Sequence, residues 1–377
     1  MYGVDASKKT SKLKKSYFVN ASKKTEKLKK CYVVGADKKL VKLWSGGELS
    51  YYGTADALSS ARAYPTGATV GNYALFAGGW ASSNIVDVYD KSLTKSIADN
   101  LYVGRYSSAS ASIGDYALFA GGKYTSGGTD YKTTTVNAYD SSLTRTTIDP
   151  FAYLSGSPIC GASVGNNAIF GLGTDTYGSQ STYVEIYDES LTHSYSSILK
   201  GSAATQGAAV TIGDYALFAS AGMSTPNGNM YSMQAINNQL TYCEVSSLST
   251  PRYMSAAATV GDYAIFAGGY KTSSSNAVDI YDKGLTKIST SATLSTARRE
   301  VAGASLGDYA LFAGGFSVSA VVDVFDASLT KTTTTSLSEA RYGMGVATVG
   351  DYAIFAGGRN GNSTAYNSAV VDVYQLS

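Results

Sequence analysis

Residues 71–79 read GNYALFAGG, and six later segments repeat this phrase. They are GDYALFAGG from Gly114, GNNAIFGLG from Gly165, GDYALFASAG from Gly213, GDYAIFAGG from Gly261, GDYALFAGG from Gly307 and GDYAIFAGG from Gly350. Successive copies start 43, 51, 48, 48, 46 and 43 residues apart. A period of about 45 residues built from short strands is typical of β-propeller blades. The repeat therefore predicts an all-β protein with seven blades.

Each repeat is long enough for four strands. A strand that is apolar at nearly every position, such as YALFA, is expected to be buried on both faces. A glycine before it supplies the positive φ that a two-residue hairpin turn requires. For the first blade the pattern predicts strand A in residues 61–70, strand B in 73–77, strand C in 85–89 and strand D from residue 93.

A glycine pair after strand B and a Tyr-Asp pair after strand C recur at fixed spacing, and this pattern resembles the Kelch repeat. The glycine pairs begin at Gly78, Gly121, Gly268, Gly314 and Gly357, and the Tyr-Asp pairs begin at Tyr89, Tyr139, Tyr187 and Tyr281, with Phe325-Asp326 as a variant. The resemblance covers residues 48–377 and implies a seven-bladed Kelch-type β-propeller. The chain lacks the family's fourth-strand Trp, and its third and fourth repeats are degenerate, so we expect those two blades to pack less regularly.

The seventh repeat ends at VDVYQLS and has no room for a fourth strand. Residues 47–62 align with residues 328–341, which precede the seventh strand A. Residues 48–54 are therefore predicted to pair with the last strand, which would close the ring and cover two exposed sheet edges. We predict two regions, an arm of residues 1–45 and a propeller of residues 46–377.

The arm has a repeat of its own, with a period of 15 residues. Ala6, Ala21 and Ala36 correspond, and they separate the segments KLKKSYFV, KLKKCYVV and KLVKLW. The Tyr-Phe-Val and Tyr-Val-Val triplets favour a small lysine-rich β-meander with turns near those alanines, although a helix is the alternative. So polar a unit cannot form a core alone, which indicates an attachment or oligomerisation module.

Charge divides the chain in the same way. Residues 1–45 contain 13 Lys and three acidic residues, a balance of +10, so the net charge of +2 leaves −8 for the remainder. Lysines interleaved with aromatic residues suggest nucleic acid, but the arm contains no Arg, the usual base-reading residue, so we do not expect that partner. We expect the arm to bind a virion or tail protein, a second copy of this chain, or the propeller.

Other features limit the class of protein. The three cysteines are unpatterned, and no apolar run is long enough to span a membrane, so we expect neither a disulfide framework nor membrane insertion. The first 15 residues lack the apolar stretch of a secretory signal. The layout of lysine-rich β repeats before a Kelch-type propeller resembles predicted tail-associated proteins from phages and prophages of gut Firmicutes. It implies a virion location, with a cytoplasmic protein as the alternative.

Catalytic motifs are weak. His193 is the single histidine, and a surface position is expected for it, so it supplies neither a metal cluster nor a Ser-His-Asp arrangement. The recurring Asp-x-Ser/Gly-Leu-Thr resembles the Asp-box of sialidases, which is a structural turn. We therefore predict a protein that is not an enzyme and carries no cofactor or metal. A Kelch-type carbohydrate-active enzyme is the remaining alternative, with Glu300 and Glu339 as candidate acids.

Five arginines stand nine residues before the repeat glycine, namely Arg62, Arg105, Arg252, Arg298 and Arg341, with Gly156 and Ala204 in the degenerate blades. Placed at the start of the innermost strand, they are predicted to surround one mouth of the central channel. Either they bind carbonyl groups of neighbouring blades or they also contact a ligand. The sequence leaves both roles open.

The B–C connections differ in length and sequence and should leave the propeller on the same face as the arginines. Variable loops on a rigid scaffold often carry recognition. Their aromatic residues are Trp80, Tyr124, Tyr131, Tyr177, Tyr231, Tyr270, Phe316 and Tyr366, and Arg359 lies among them. Aromatic side chains among small polar ones are typical of binding surfaces. We therefore predict a non-enzymatic recognition protein that binds a cell-surface glycan or protein; an intracellular Kelch interaction scaffold is the alternative.

Overall fold

The computed structural model describes residues 47–377 except 81, 155–158, 175–178, 180, 201–206, 220–232 and 362–365, together with the backbone of six strands before residue 46. These six strands pair as three hairpins: β1 (Tyr2–Val4) with β2 (Thr10–Lys12), β3 (Tyr17–Val19) with β4 (Thr25–Lys27), and β5 (Lys30–Val34) with β6 (Leu40–Ser45). The predicted turns at the three alanines lie outside the described residues. A separate arm stays a prediction.

The remaining strands form seven four-stranded antiparallel sheets, so the predicted seven-bladed β-propeller is confirmed. Blade 1 contains β8 (Thr66–Val70), β9 (Tyr73–Ala77), β10 (Val86–Asp90) and β11 (Lys95–Ile97); blade 2 contains β12 (Ala109–Ile113), β13 (Tyr116–Ala120), β16 (Val136–Tyr139) and β17 (Arg145–Ile148); blade 3 contains β18 (Cys160–Val164), β19 (Asn167–Gly171), β20 (Val184–Asp188) and β21 (His193–Ser196). Blade 4 contains β22 (Ala208–Ile212), β23 (Tyr215–Ala219), β24 (Met233–Asn237) and β25 (Tyr242–Cys243); blade 5 contains β26 (Ala256–Val260), β27 (Tyr263–Ala267), β28 (Val278–Asp282) and β29 (Lys287–Ile288). Blade 6 contains β30 (Ala302–Leu306), β31 (Tyr309–Ala313), β32 (Val322–Asp326) and β33 (Lys331–Thr333); blade 7 contains β34 (Gly345–Val349), β35 (Tyr352–Ala356), β36 (Val371–Leu376) and β7 (Leu49–Thr54).

The core lies between neighbouring blades. Leu75 and Phe76 of β9 are both fully buried although they point to opposite faces of the sheet. Phe119 of blade 2 packs against Val86 and Val88 of blade 1 in one apolar cluster. This double burial explains why the B strands are continuously apolar. No helix in the described part of the chain is long and apolar enough to cross a membrane.

Ring closure occurs as the sequence predicted. β7 pairs antiparallel with β36, with Leu49 opposite Leu376 and Thr54 opposite Asp372. The hydroxyl of Tyr51 also donates a hydrogen bond of 2.6 Å to Asp372 Oδ1. Blade 7 is therefore completed by a strand more than 300 residues away in the chain.

Two turn predictions are confirmed and one strand boundary is wrong. All seven A–B turns contain two residues, and Gly71 has a φ of 54°. In the turn after strand C, Asp90 Oδ1 accepts hydrogen bonds from the backbone of Ser92 and Thr94, at 2.7 and 2.9 Å, so this Asp is structural. Strand A begins at residue 66 and not at 61, because residues 61–65 still belong to the connection that enters the blade.

The degenerate third and fourth blades keep the strand order of the regular ones. The fourth strand of blade 4 has two residues, as has that of the regular blade 5. Parts of the B–C connections of both blades lie outside the described residues. Degeneracy of the repeat therefore removes no strand.

Candidate functional site

The five repeat arginines are buried, so the expectation that they are exposed around the channel mouth and could contact a ligand is wrong. Arg62, Arg105, Arg252, Arg298 and Arg341 are each at most 1% exposed. Because they precede strand A, their side chains run back into the blade, where Arg62 donates to the carbonyl of Phe76 at 3.1 Å. Burial leaves them no surface that a ligand could contact.

Four of the five buried arginines pair with a carboxylate at the second position of strand C. Arg62 lies 2.7 Å from Asp87, and Lys95 of strand D approaches the same carboxylate at 3.2 Å. The backbone N–H of Ser59 donates to it as well. Burial alone would raise the pKa of Asp87, but hydrogen bonds from Ser59 and the charge of Arg62 hold it below its ordinary value. We call this group the blade lock.

Blades 5, 6 and 7 repeat the lock. The corresponding groups are Arg252, Asp279 and Lys287; Arg298, Asp323 and Lys331; and Arg341, Asp372 and Tyr51. Each carboxylate is buried but paired, which the cost of burying an isolated charge requires. The sequence contains the signal in the acidic residue between apolar ones in VDVY, which sequence reasoning missed.

The lock changes composition in blades 2, 3 and 4. Blade 2 keeps Arg105 but has the neutral Asn137, and burial lowers the pKa of Arg105 to about 10. In blade 3, His193 Nε2 lies 2.7 Å from the fully buried Glu185. The side chain of His193 is only 11% exposed, so the predicted surface position is wrong. Blade 4 has the neutral Gln234 at this position, where it accepts a hydrogen bond from the backbone of Lys200.

The glycine pair joins each lock to the next blade. A Cβ on Gly79 would lie 2.8 Å from Cδ of Arg62, and one on Gly78 would lie 2.2 Å from the carbonyl oxygen of Arg105. The N–H of Gly79 donates to that same carbonyl at 2.8 Å. Only glycine fits here, so the pair and the arginines form one structural unit.

The second residue after each lock arginine lies nearer to the channel axis than the lock. These residues have a left-handed backbone, with φ of 54° at Tyr64, 51° at Ser107, 55° at Met254, 53° at Glu300 and 61° at Gly343. Neighbouring members are hydrogen-bonded through the backbone, as from Tyr64 N to Gly343 O at 2.7 Å and from Glu300 N to Met254 O at 3.0 Å. We call them the collar. Such strain in non-glycine residues costs about 1–3 kcal/mol each and clusters at functional sites.

One hydrogen bond spans three blades of the collar. The hydroxyl of Tyr64 in blade 1 donates to Glu300 Oε2 in blade 6 at 2.8 Å. Its ring passes over Gly343 of blade 7, where a Cβ would lie 2.7 Å from the ring. Burial raises the pKa of Glu300 above its ordinary value. The collar therefore places a partly buried carboxyl group at the mouth.

Outside the collar lies a belt of aromatic rings and arginines on the same face. The residue directly after the glycine pair contributes Trp80, Tyr270, Phe316 or Arg359, and the residue after the lock arginine contributes Tyr106, Arg299 or Tyr342. Arg359 lies over the Trp80 ring at 5.0 Å, and Arg299 lies over Phe316 at 3.7 Å and Tyr270 at 4.6 Å. Trp80 also contacts Tyr106 at 4.6 Å. These four predicted residues, Trp80, Tyr270, Phe316 and Arg359, therefore come together.

A hairpin in the B–C connection of blade 2, β14 (Lys123–Ser126) with β15 (Thr129–Lys132), forms one wall of the mouth. Asp130 accepts a hydrogen bond of 2.7 Å from Tyr106, and Lys132 reaches Thr174 of blade 3 at 2.8 Å. Tyr124 stacks on Tyr131 with ring centres 5.5 Å apart. Because neighbouring residues of a strand face opposite sides, Tyr124 is on the face away from Lys123 and contributes no wall to the cavity.

Two belt residues, Trp80 and Tyr106, and four collar residues line a cavity of about 390 Å³. The aromatic and charged side chains in its lining are Tyr64, Trp80, Tyr106, Lys123, Asp130 and Glu300. The predicted residues Tyr270, Phe316 and Arg359 belong to the belt but not to this lining. Glu339 is not in the lining and instead accepts a hydrogen bond from Ser368 at 2.6 Å. Tyr366 is 53% exposed, and Tyr177 and Tyr231 lie outside the described residues.

Sequence reasoning missed Tyr64, Arg299 and Asp130. The first two follow lock arginines, so the repeat alignment contained the signal. Asp130 had none, because its role depends on a hairpin found in one blade. Among the described residues, no group of three or more His, Cys, Asp or Glu side chains is placed to hold a metal ion.

No family model matches this chain, and no curated protein matches it. Among solved structures the chain is similar to one described as "Structure of YjhT", with a TM-score of 0.56 and 15% identity. The match covers 74% of this chain and 99% of that chain. At this identity the similarity concerns the fold alone, and the chain is a seven-bladed β-propeller.

Proposed function

We propose that this chain is a non-enzymatic recognition protein that binds a cell-surface glycan or protein at the channel mouth. The observation that carries the proposal is the belt, in which Trp80 and Tyr106 line an open cavity, Arg359 lies over Trp80, and Arg299 lies over Phe316. Half-buried aromatic side chains with polar neighbours are typical of binding surfaces. The strained collar supports the same location.

The attachment role of residues 1–45 belongs to this proposal. Their lysine excess and β repeats suggest docking on a virion or tail protein, or self-association, while the propeller carries recognition. A tail-associated protein of this design would need both parts. The chain without residues 1–45 should then keep ligand binding and lose attachment.

A carbohydrate-active enzyme would need two acids that converge on one ligand. Glu300 lines the cavity, whereas Glu339 is held outside it by Ser368, so these two glutamates do not form the acid–base pair that the sequence suggested. The second carboxyl group in the lining is Asp130, and its two oxygens accept hydrogen bonds from Tyr106 and Thr125, which favours a structural role for it.

The test is binding of purified protein to intact bacterial cells and to a glycan array. Trp80→Ala and Phe316→Ala are each expected to cost about 1–3 kcal/mol of binding free energy if these rings are anchors. Asp282→Ala, in a turn on the opposite face, should lower the melting temperature and leave affinity unchanged. Loss of binding in Asp282→Ala together with normal binding in both aromatic variants would show that the site is on the other face.

A further inference from the structure

We propose that the cavity binds one pyranose ring of an uncharged saccharide. This inference rests on the proposed function and names the ligand class of the same site. The cavity volume of about 390 Å³ lies within the range of small-molecule sites, about 300–1,000 Å³. Its walls supply one aromatic platform and two polar groups on different blades.

The aromatic platform is fixed before any ligand arrives. Trp80 packs against Tyr106 at 4.6 Å, and the hydroxyl of Tyr106 donates to Asp130 at 2.7 Å. Thr125 donates to the other oxygen of Asp130, also at 2.7 Å, and its own N–H bonds to Ser82 of blade 1. The hairpin thus holds the Trp80–Tyr106 pair in place. A rigid ring suits stacking on the apolar C–H face of a sugar, because little conformational freedom is lost on binding.

A hydrogen-bond acceptor and a donor remain available at the mouth. Glu300 Oε2 is taken by Tyr64, whereas the nearest basic group to Oε1 within the described residues is Arg299 Nε at 4.0 Å. Across the axis, the ammonium group of Lys123 makes no hydrogen bond or ion pair in the part of the chain that the structure describes. A hydroxyl group can donate to Glu300, and another can accept from Lys123. A polyhydroxylated ring satisfies both groups.

Charge in the cavity disfavours a ligand with a carboxylate. The charged side chains that line the cavity are Lys123, Asp130 and Glu300, whereas Arg299 and Arg359 lie over aromatic rings outside the lining. A uronic acid would place its carboxylate in a cavity that already contains two carboxyl groups, so it gains less than the neutral sugar. An amino sugar would be attracted by these two groups and repelled by Lys123, so its charge brings little net gain.

The experiment compares neutral, uronic and amino sugars of the same ring configuration on the full chain. The chain has two tryptophans, so a Trp44→Phe background makes the fluorescence of Trp80 a direct report of the cavity. We expect a neutral methyl pyranoside to shift Trp80 emission and to bind at least about tenfold more tightly than its uronate. Lys123→Met should weaken binding by about fivefold to tenfold, because it removes one hydrogen bond to the ligand. Glu300→Gln should weaken binding by less, because its amide oxygen still accepts a hydrogen bond but carries no charge. Glu244→Gln, at an exposed surface pair, is the matched control and should bind normally.

Equal or tighter binding of the uronate would overturn the proposal. So would the absence of any saccharide ligand in a protein that still binds intact cells, because that result keeps recognition and assigns it to a protein partner. Failure to bind both cells and saccharides would count against the proposed function itself.

Discussion

Blades 6 and 3 solve the same electrostatic problem with different residues. In blade 6 the buried Asp323 is paired with Arg298 and Lys331, so one negative charge faces two positive ones. In blade 3 the buried Glu185 has His193 as its side-chain partner and takes two further hydrogen bonds from the backbone of Tyr153 and Leu154, at 2.6 and 2.8 Å. A carboxylate thus stays compensated in a blade whose repeat has lost its arginine.

Blades 4 and 2 differ in how they treat the same position. Blade 4 has the neutral Gln234, so no carboxylate needs a partner there. Blade 2 combines Arg105 with the neutral Asn137, so this buried guanidinium donates to the carbonyl of Phe119 and, among the described residues, lacks an acidic partner, and burial lowers its pKa to about 10. At this position, blades 3 and 4 therefore keep every buried carboxylate compensated, whereas blade 2 leaves a cation without a countercharge.

The comparison also connects scaffold with site. In the regular blades the lock fixes an arginine, and the next two residues enter the belt and the collar, as Arg298 is followed by Arg299 and Glu300. The buried arginine thus fixes the positions of the two residues that follow it at the mouth. Substitutions in the lock should therefore displace belt and collar residues before they open the propeller.

The largest effect is expected for Arg298→Leu. It leaves Asp323 buried with Lys331 but without its guanidinium partner, so we expect a loss of about 3–5 kcal/mol in the free energy of unfolding. Arg105→Leu removes hydrogen bonds without stranding a carboxylate and should cost about 1–2 kcal/mol. Urea unfolding of both variants measures the difference. Equal losses in the two variants would show that the unpaired charge of Asp323 does not add to the cost of removing the arginine.

A middle-sized effect is expected for His193→Ala. Glu185 would keep its two backbone donors and lose one hydrogen bond to a buried carboxylate, which costs about 1.5–3 kcal/mol. His193→Lys introduces the residue that blades 1, 5 and 6 use at this position and should be within about 1 kcal/mol of the parent chain. Calorimetric melting of the two variants is the measurement. If Lys destabilises blade 3 as much as Ala, the blades are not interchangeable at this position.

The smallest effect concerns Glu300→Gln. Burial raises the pKa of Glu300 in the folded chain, so the folded state binds its proton more tightly and loses stability as pH rises through that pKa. Gln carries no charge, so the variant should be more stable than the parent at pH 8. The difference should shrink as the pH falls below the ordinary pKa of a glutamate. A difference that stays constant across this range in thermal melts would contradict the pKa shift.

The sequence contained most of the scaffold. Strand B of each blade was predictable because five apolar residues between a turn glycine and a glycine pair have one compatible environment, a strand buried on both faces. The closing strand was predictable because residues 47–62 align with the segment before the seventh strand A. Both inferences rest on local sequence patterns, and the seven repeats show each pattern several times.

The site was only partly predictable because side-chain direction does not follow from repeat position. Arg62 stands where the predicted strand A began, yet it belongs to a connection that turns its guanidinium inward. The Tyr64–Glu300 hydrogen bond joins residues 236 positions apart. It requires glycine at position 343, because a Cβ there would meet the ring of Tyr64. Such contacts follow from three-dimensional placement alone.

The closure between β7 and β36 determines how the molecule resists force. Leu49 and Leu376 are paired at one end of the two strands, and Thr54 and Asp372 are paired near the other. Tension applied through residues 49 and 376 enters at the same end, so it separates the pairs one after another instead of loading them together. The hydrogen bonds between the two strands therefore break one pair after another, and the opening rate depends on few bonds at a time. β7, the outer strand of blade 7, separates before any inner strand carries the load.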